Sequence, residues 1–341
     1  MNEALQVLYS TVYYVVFNLT LAVTVAIQRD SYLYWPFILS TVAIAALVLR
    51  YSANATTGPD QRSWRQLFRD YCGRELWWHR SARADYRLYF ANALVLPLVF
   101  GWLMFSDTQI ISLIDGALGR QAAPAGPAAD GLASRLAYTL IFFVAYDFGR
   151  FAAHSLLHDI PVLWEFHKIH HSAEVLTPIT SFRAHPIDLA VMAWVPAFTT
   201  GIATWSFNQI AAGPVTAYTF LGMHVLIWGF NLIDNLRHSN VWLTYGPGLG
   251  KWLISPAHHQ LHHSYEPRHL GCNRGFDIAL WDRLYGTLYV PAAQPESFRM
   301  GLGDGTDGQW NTLWRIYAWP FAGAMRALSN FFRQRWARRA P

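Results

Sequence analysis

Six long runs of apolar residues divide the chain, and short polar or charged stretches separate them. Each run contains roughly 17–21 residues, and an α-helix needs about 20 residues to cross the hydrocarbon core of a membrane. Backbone groups in lipid must pair within their own segment, so runs this apolar are expected to be helical. We predict an all-α fold, a polytopic transmembrane bundle of about four to six membrane helices. The runs are 11–28, 33–49, 88–105, 136–153, 189–207 and 213–233.

Arginines mark one side of the predicted membrane. The segment 51–87 and the tail from Arg326 onwards are rich in arginine, whereas segment 106–135 contains only Arg120 and Arg135. Cytoplasmic loops carry an excess of Lys and Arg, so the first two segments are expected in the cytosol and the third outside. Counting spans from there places 154–187, 234–341 and both termini on the cytosolic face.

Composition supports a membrane protein and excludes several other classes. Charged residues make up 14% of the chain, against about 25% in a soluble domain. The net charge of +5 comes without a polybasic face, so nucleic acid is not an expected partner. The two cysteines form no CxxC pair, which argues against a disulfide framework or a thiolate metal site.

The chain is expected to contain three regions. Residues 1–135 form an N-terminal membrane-spanning region, 136–291 a catalytic region, and 292–341 a basic amphipathic tail. Aromatic residues alternate with arginines in the tail, which predicts one or two helices at the membrane interface. A cytosolic helix packed on the catalytic region is the alternative for the tail.

Thirteen of the 14 histidines lie between His154 and His269, and eleven of them fall in five short motifs. In His154-Ser-Leu-Leu-His158, a spacing of four places both imidazoles on one helical face. One zinc ion needs about three or four ligands, so eight or more clustered histidines indicate two metals, each with an open position. Imidazole suits Zn, Cu, Fe and Ni, and the ligand type alone does not select iron. The other motifs are His167-Lys-Ile-His170-His171, Arg183-Ala-His185-Pro186, His238-Ser-Asn240 and His258-His259-Gln-Leu-His262-His263.

This arrangement resembles the fatty acid hydroxylase and sterol desaturase superfamily of membrane di-iron enzymes. The resemblance runs from about Tyr138 to Pro291. It includes the boxes HxxxH, HxxHH and HxxHH in that order, the Arg-x-His-Pro turn, and the closing Leu-Trp-Asp-Arg-Leu-Tyr-Gly-Thr at 280–287. One departure is Asn273-Arg274-Gly275, where an Asn-Tyr-Gly-like stretch is usual.

The resemblance implies which histidines bind metal. His238, which follows the last run, is the expected ninth ligand. His185 is either a tenth ligand or a hydrogen-bonded turn histidine, and His258 is expected beside the metals, with its neighbour His259 as the ligand. The eight box ligands are His154, His158, His167, His170, His171, His259, His262 and His263. The acidic residues expected to hydrogen-bond these histidines are Asp147, Glu174, Asp188, Asp234 and Asp282.

The resemblance also implies the chemistry. The expected activity is O2-dependent hydroxylation of a C–H bond in a membrane lipid, a fatty acyl chain, a sterol or a related lipid, at a site with two iron ions. A desaturase with the same site is the nearest alternative, and a membrane zinc enzyme or a metal transporter is more remote. No dinucleotide fingerprint, haem motif or four-cysteine site is present. The electrons must then come from an external donor, a ferredoxin or a cytochrome b5-like protein with its reductase.

Overall fold

The computed structural model describes residues 3–56, 64–100, 105–119, 131–211 and 213–337. The predicted outer segment 106–135 and the tail 292–341 therefore lie partly outside the described residues. Within the described ranges the fold is almost entirely helical, as predicted. The α-helices are α1 (Glu3–Val23), α2 (Trp35–Thr56), α3 (Trp64–Cys72), α4 (Arg74–Trp77), α5 (Arg80–Phe100), α6 (Asp107–Ala117), α7 (Leu132–Asp159), α8 (Pro161–His171), α9 (Pro186–Ile210), α10 (Val225–Asp234), α11 (Gly246–Leu249), α12 (Pro256–His262), α13 (Leu280–Tyr285) and α14 (Leu313–Ala337).

Three helical segments are long and apolar enough to cross a membrane by length and composition, namely Leu5–Ile27, Leu132–Asp159 and Pro186–Ile210. Two further apolar helices, Trp35–Tyr51 and Val225–Asp234, are shorter. Four of these segments coincide with predicted apolar runs, and Val225–Asp234 covers only the second half of the run 213–233. The remaining run, 88–105, overlaps α5. The membrane character of the fold is confirmed, whereas the number of crossings stays a prediction.

The sixth run, 213–233, is not the single helix that we predicted. Its first half forms a short hairpin of strands β1 (Thr219–Phe220) and β2 (Met223–His224), and only α10 follows as helix. The turn between the strands needs positive φ at Leu221 (50°) and Gly222 (82°), which a continuing helix does not allow. Hydropathy did not indicate this break, because the residues of the run are apolar on both sides of the turn.

Helices α7 and α9 pack closely through small residues. A Cβ atom added to Gly149 of α7 would lie 2.6 Å from Cα of Pro196 in α9, so only glycine permits this approach. The Thr199 hydroxyl donates to the carbonyl of Ala145 (2.8 Å), which joins the same two helices. This contact fixes the C-terminal half of α7, which carries the first two histidines of the series.

Arg183 ties the histidine-bearing α8 to the rest of the protein. Its guanidinium is fully buried and donates to the carbonyl of Ile169 in α8 (2.9 Å) and to Asp85 in α5 (2.7 Å). It also donates to the carbonyl of Trp310, just before α14 (3.0 Å). A buried arginine with its donors satisfied by several elements holds those elements in register.

The C-terminal tail forms one helix over its described part, α14. Its first half packs on α8, where Phe321 makes an edge contact with Phe166, with ring centroids 5.2 Å apart. Its second half exposes Met325, Phe331 and Phe332. The first half thus packs on the histidine-bearing region, which was the alternative for the tail, and a membrane-interface position of the second half stays a prediction.

Candidate metal centre

Three helices carry eight of the predicted ligands. α7 ends with His154 and His158 on one face, α8 ends with the three histidines of the second box, and α12 with its C-cap residue supplies the third. Spacings of three and four bring side chains onto one helical face, whereas adjacent pairs such as His170 and His171 point about 100° apart, so the second and third boxes each supply both groups of ligand atoms. His238 lies in the turn that follows α10 and reaches the same region.

The first group of ligand atoms comes from all three helices. It consists of five histidines whose nitrogens lie within 4.8 Å of one another, namely His154, His158, His167, His171 and His262. Nε2 of His154 is 3.1 Å from Nε2 of both His167 and His262. Two nitrogens bound to one ion at about 2.1 Å lie ~3.0 Å apart in octahedral and ~3.4 Å apart in tetrahedral geometry. The observed separations therefore match the edges of a coordination shell.

A second group lies beside the first. Its four histidines, His170, His238, His259 and His263, are all buried, and their nitrogens also lie within 4.8 Å of one another. Nε2 of His238 is 3.2 Å from Nε2 of His170 and 3.0 Å from Nε2 of His259. Together the two groups contain every one of the nine predicted ligands. In the described part of the chain, both groups consist of histidine alone.

The hydrogen bonds of the outer ring nitrogens fix which nitrogen faces inward with a lone pair. Nδ1 of His154 donates to the carbonyl of Arg274 (2.8 Å), and Nδ1 of His262 donates to the carbonyl of Cys272 (2.6 Å). Nδ1 of His167 donates to the Asp188 carboxylate (2.9 Å). A neutral imidazole with a proton on Nδ1 has an unprotonated Nε2. Three of the first group's Nε2 lone pairs therefore converge, which is unfavourable unless a cation lies between them.

Burial keeps these imidazoles in the neutral form that binds metal. Burial lowers the pKa of His238 and of His262 to about 3. Burial, followed by repulsion from neighbouring imidazoles, holds the pKa of His170, His171, His259 and His263 well below the usual range. Metal ligands must be deprotonated, so the site is prepared for a cation at neutral pH.

Backbone carbonyls that support two ligands come from one loop, 272–275, which we did not predict as part of the site. The Asp282 carboxylate accepts hydrogen bonds from the backbone N–H groups of Arg274 and Gly275, both at 2.7 Å. This contact holds the Cys272 and Arg274 carbonyls toward His262 and His154. Every residue has a backbone carbonyl, so the sequence does not show which carbonyls accept hydrogen bonds from the ligands. Only the unusual Asn-Arg-Gly stretch at 273–275 drew attention to this loop.

A cavity of about 150 Å³ adjoins both histidine groups. Five histidines line it, and they come from both groups: His154, His167, His170, His238 and His259. The other side of the first group approaches solvent, because His158 is only partly buried and contacts Trp164, with ring centroids 5.2 Å apart. The centre thus has a cavity-facing side and a solvent-facing side.

Comparison with known proteins assigns this region to a family. Residues 139–287 match the model of the family described as fatty acid hydroxylase. This segment contains all eleven histidines that we proposed at or near the metals. This match supports the similarity of residues 139–287 to the fatty acid hydroxylase and sterol desaturase superfamily. No solved structure matches the chain significantly.

Curated relatives of this fatty acid hydroxylase region carry out related chemistry on different lipids. Over 162 residues the chain is 33% identical to the ornithine lipid hydroxylase OlsE of Rhizobium tropici, covering 47% of this chain and 44% of that protein. It is 26% identical over 191 residues to the alkylglycerol monooxygenase of Danio rerio, covering 55% of this chain and 39% of that protein. A Delta(7)-sterol 5(6)-desaturase of Gibberella zeae is 28% identical over 153 residues, covering 45% of this chain and 42% of that protein. The matched region spans less than half the length of these relatives.

Two of the predicted histidines lie outside both groups. His185 caps α9, where its Nδ1 accepts from the backbone N–H of Ile187 (3.0 Å), and its ring packs against Phe166. The structure thus gives His185 the turn position that we predicted as the alternative to ligation. His258 caps α12 through Ser255, and its Nε2 lies 3.1 Å from the carbonyl of Gly250. Adjacent residues on a helix point about 100° apart. Because His259 faces the metal site, His258 points away from it.

Most of the carboxylates expected to hydrogen-bond ligand histidines have other partners. Of the five that we expected to hydrogen-bond ligand histidines, only Asp188 does so directly. Asp147 instead accepts from the backbone of Asp277 (2.9 Å), and Asp282 supports loop 272–275. The remaining two form ion pairs, Asp234 with Arg237 and Glu174 with Arg80. Proximity in sequence suggested the histidines as partners, but a helix also presents its carboxylates to other elements.

Proposed function

We propose that this chain is an O2-dependent membrane oxidoreductase that hydroxylates a C–H bond of a lipid at a di-iron centre. One observation carries the proposal: two adjacent groups of buried or partly buried imidazoles, five in one and four in the other, adjoin one cavity. Five and four ligands exceed what a single ion can use. The relatives that hydroxylate lipids support the reaction class.

We assign one ion to each of the two histidine groups. His154, His158, His167, His171 and His262 would hold one ion, and His170, His238, His259 and His263 the other. When bound, the two iron ions would supply the activation of O2 and the oxidation of the C–H bond. The protein preorganises the site: Asp188 and the loop carbonyls accept hydrogen bonds from Nδ1 of three histidines, which turns their Nε2 atoms toward the ions.

Electrons would reach the centre from a separate protein, because the sequence has no dinucleotide fingerprint, haem motif or four-cysteine site. The solvent-facing side at His158 and Trp164 is the part of the centre closest to such a donor. A ferredoxin or a cytochrome b5-like protein with its reductase has the required chemistry. We place this side, and both termini, in the cytosol on the arginine distribution.

A desaturase is the second candidate, because a sterol desaturase is among the relatives. Hydroxylation is preferred since the ornithine lipid hydroxylase, the alkylglycerol monooxygenases and the cholesterol 25-hydroxylase of Mus musculus are also similar. A zinc hydrolase would need a general-base carboxylate, yet the one carboxylate bonded to a ligand, Asp188, is engaged by His167. A transporter would need ligands along the spans, whereas these histidines cluster where the helices end.

Lipid mass spectrometry tests the proposal. Cells that produce the wild-type chain should accumulate a lipid heavier by one oxygen, and that oxygen should carry the label when the cells grow under ¹⁸O2. The His154→Ala and His170→Ala variants should lack the product, and His79→Ala, outside both groups, should retain it. A product lighter by two hydrogens would support the desaturase instead, and unchanged lipids under every donor tried would reject both.

A further inference from the structure

Two short segments of the histidine region expose large apolar side chains on one surface. Leu249, at the end of α11, is 51% exposed, Trp252 just after it 56%, and Leu284 of α13 74%. The segments are joined, because the backbone N–H of Ala279 donates to the carbonyl of Trp252 (2.8 Å). The guanidinium of Arg283 also lies 4.3 Å from the centre of the Trp252 ring. Exposed apolar side chains grouped in this way mark a surface that contacts a partner.

The second of these segments, α13, packs against the C-terminal part of α7, which is one of the candidate membrane spans. Trp281 contacts Phe148 with ring centroids 5.0 Å apart, and its Nε1 donates to the Asp147 carboxylate (2.8 Å). Tyr285 makes an edge contact with Phe151, with centroids 5.7 Å apart. Phe148 and Tyr285 are themselves exposed. The exposed side of α13 therefore continues the exposed side of α7.

The length of α7 gives the depth of this contact. Arg135 lies in the first turn of the helix and marks one end of its apolar part, since arginine favours the headgroup region over the hydrocarbon. About 20 residues, at 1.5 Å each, then cross about 30 Å of hydrocarbon and end near Ser155. Phe148 and Phe151 thus lie within about 10 Å of the far surface of the hydrocarbon. A segment packed beside them lies where the acyl chains meet the headgroups.

The side chains around the exposed leucines are those that such a location favours. Trp252 and Tyr285 are of the two aromatic types that concentrate at membrane interfaces. Lys251 and Arg283 are exposed beside them, and long basic side chains extend to the headgroups while their stems stay on apolar surface. Basic residues near a membrane surface also attract anionic lipids. With four residues in α11 and six in α13, neither helix is long enough to cross the membrane, so both are suited to lie along its surface.

We propose that these two segments form a membrane-contact patch, which inserts into the headgroup region of the bilayer beside α7 and binds anionic phospholipids. Its apolar side chains reach the upper part of the acyl chains, and its two cations contact the lipid phosphates. The patch holds the end of α7 that carries His154 and His158 at the membrane surface. Its members are Leu249, Lys251, Trp252, Arg283, Leu284 and Tyr285.

The depth of a fluorescent label tests the insertion. The full chain carries Cys72→Ser, which removes the exposed native thiol. Leu249→Cys and Leu284→Cys are each added to this background, labelled with a nitrobenzoxadiazole dye and reconstituted in phospholipid vesicles. Lipids with a nitroxide near the top of the acyl chain should quench both labels and report a depth of about 5–10 Å below the headgroups. Iodide in the water should quench them weakly.

Two reference positions bracket this result. Leu140 is exposed on α7 nearer its other end, and a label there reports contact with the bilayer. Arg299 is exposed and pairs with Glu266 (2.9 Å), and a label there reports contact with water. Labels at Leu249 and Leu284 that iodide quenches as fully as the label at Arg299 would overturn the proposal. A patch that binds a protein partner instead would give that result, because the vesicles contain only the purified chain.

The preference for anionic lipid is tested with the same label at Leu284. Nitroxide-bearing phosphatidylglycerol should quench this label about 5-fold more than nitroxide-bearing phosphatidylcholine at equal mole fraction, the effect expected of a basic residue near the surface. The two lipids should quench nearly equally in the Lys251→Gln/Arg283→Gln variant. Equal quenching with both cations present, or an undiminished preference in the variant, would refute the contact with anionic headgroups. Neither assay needs turnover, so their results are independent of the proposed function.

Discussion

His258 and His259 are neighbours with different surroundings. His259 belongs to the second histidine group, where its Nε2 lies 3.0 Å from Nε2 of His238. His258 is bonded to Ser255 and Gly250 instead. Residues adjacent on a helix point about 100° apart, so only one can share a face with His262 and His263.

We predict that alanine at these two positions has different effects. His259→Ala should lower the metal content below two ions per chain, because it removes one of the four imidazoles of the second group and weakens the binding of that ion. His258→Ala should keep both ions and lose only stability, by about 1–3 kcal/mol for its hydrogen bonds. Metal analysis and thermal unfolding of the two purified variants measure both effects. Loss of metal in His258→Ala with full occupancy in His259→Ala would show that the third box begins one residue earlier.

At the scale of single residues, the sequence was most informative where residue type carries the chemistry. The spacing of the histidines indicated a metal site, because few roles other than ligation require adjacent imidazole pairs, and the family resemblance implied all nine members of the two groups, His238 among them. It could not identify Asp277, which pairs with Arg150 and Arg237 across the core. That aspartate lies 127 residues from Arg150 in the chain, and no local pattern links them.

At the scale of elements, loop 272–275 controls the orientation of two ligands. Gly275 lies against Asp282, and a Cβ atom added there would sit 2.6 Å from Oδ2 of that carboxylate. Such a distance forces the loop or the carboxylate to move. The Arg274 carbonyl, which accepts from His154 Nδ1, would move with the loop.

Gly275→Ala should therefore weaken metal binding without touching a ligand. Loss of a group that orients a ligand typically costs about 10–100-fold in metal affinity. Competition with a chromophoric chelator measures this change. Gly229→Ala is the matched control, since nothing lies within 4 Å of a Cβ atom there and the residue is helical. Equal affinity in the two variants would contradict the role of the loop.

Elements were predictable where they are long and uniform. Hydropathy located α1, α7 and α9, which are the three candidate spans. It failed at 213–233, because the mean hydropathy of a segment carries no information about a turn that depends on positive φ at Leu221 and Gly222. The contact of α14 with α8 was left open for a similar reason: amphipathicity shows that a face is buried but not what covers it.

At the scale of the whole molecule, contacts between helices hold the histidine-bearing helices in place. The contact of α7 with α9 fixes the helix that ends in His154 and His158, and Arg183 fixes α8 against α5 and α14. Tyr32 and Leu189 line both the cavity beside the histidine groups and a separate cleft between α1 and α5. Long-range pairings of this kind determine the site, and none can be derived from hydropathy or spacing alone.

The central claim is that the two histidine groups hold two metal ions in one chain. Elemental analysis of the full chain, purified in detergent without chelators, measures this most directly. We predict about two ions per chain, because each group offers more imidazoles than an ion with an open position requires. Zinc in place of iron would agree with the claim, since imidazole sites accept either ion. A single ion per chain, or none, would contradict it.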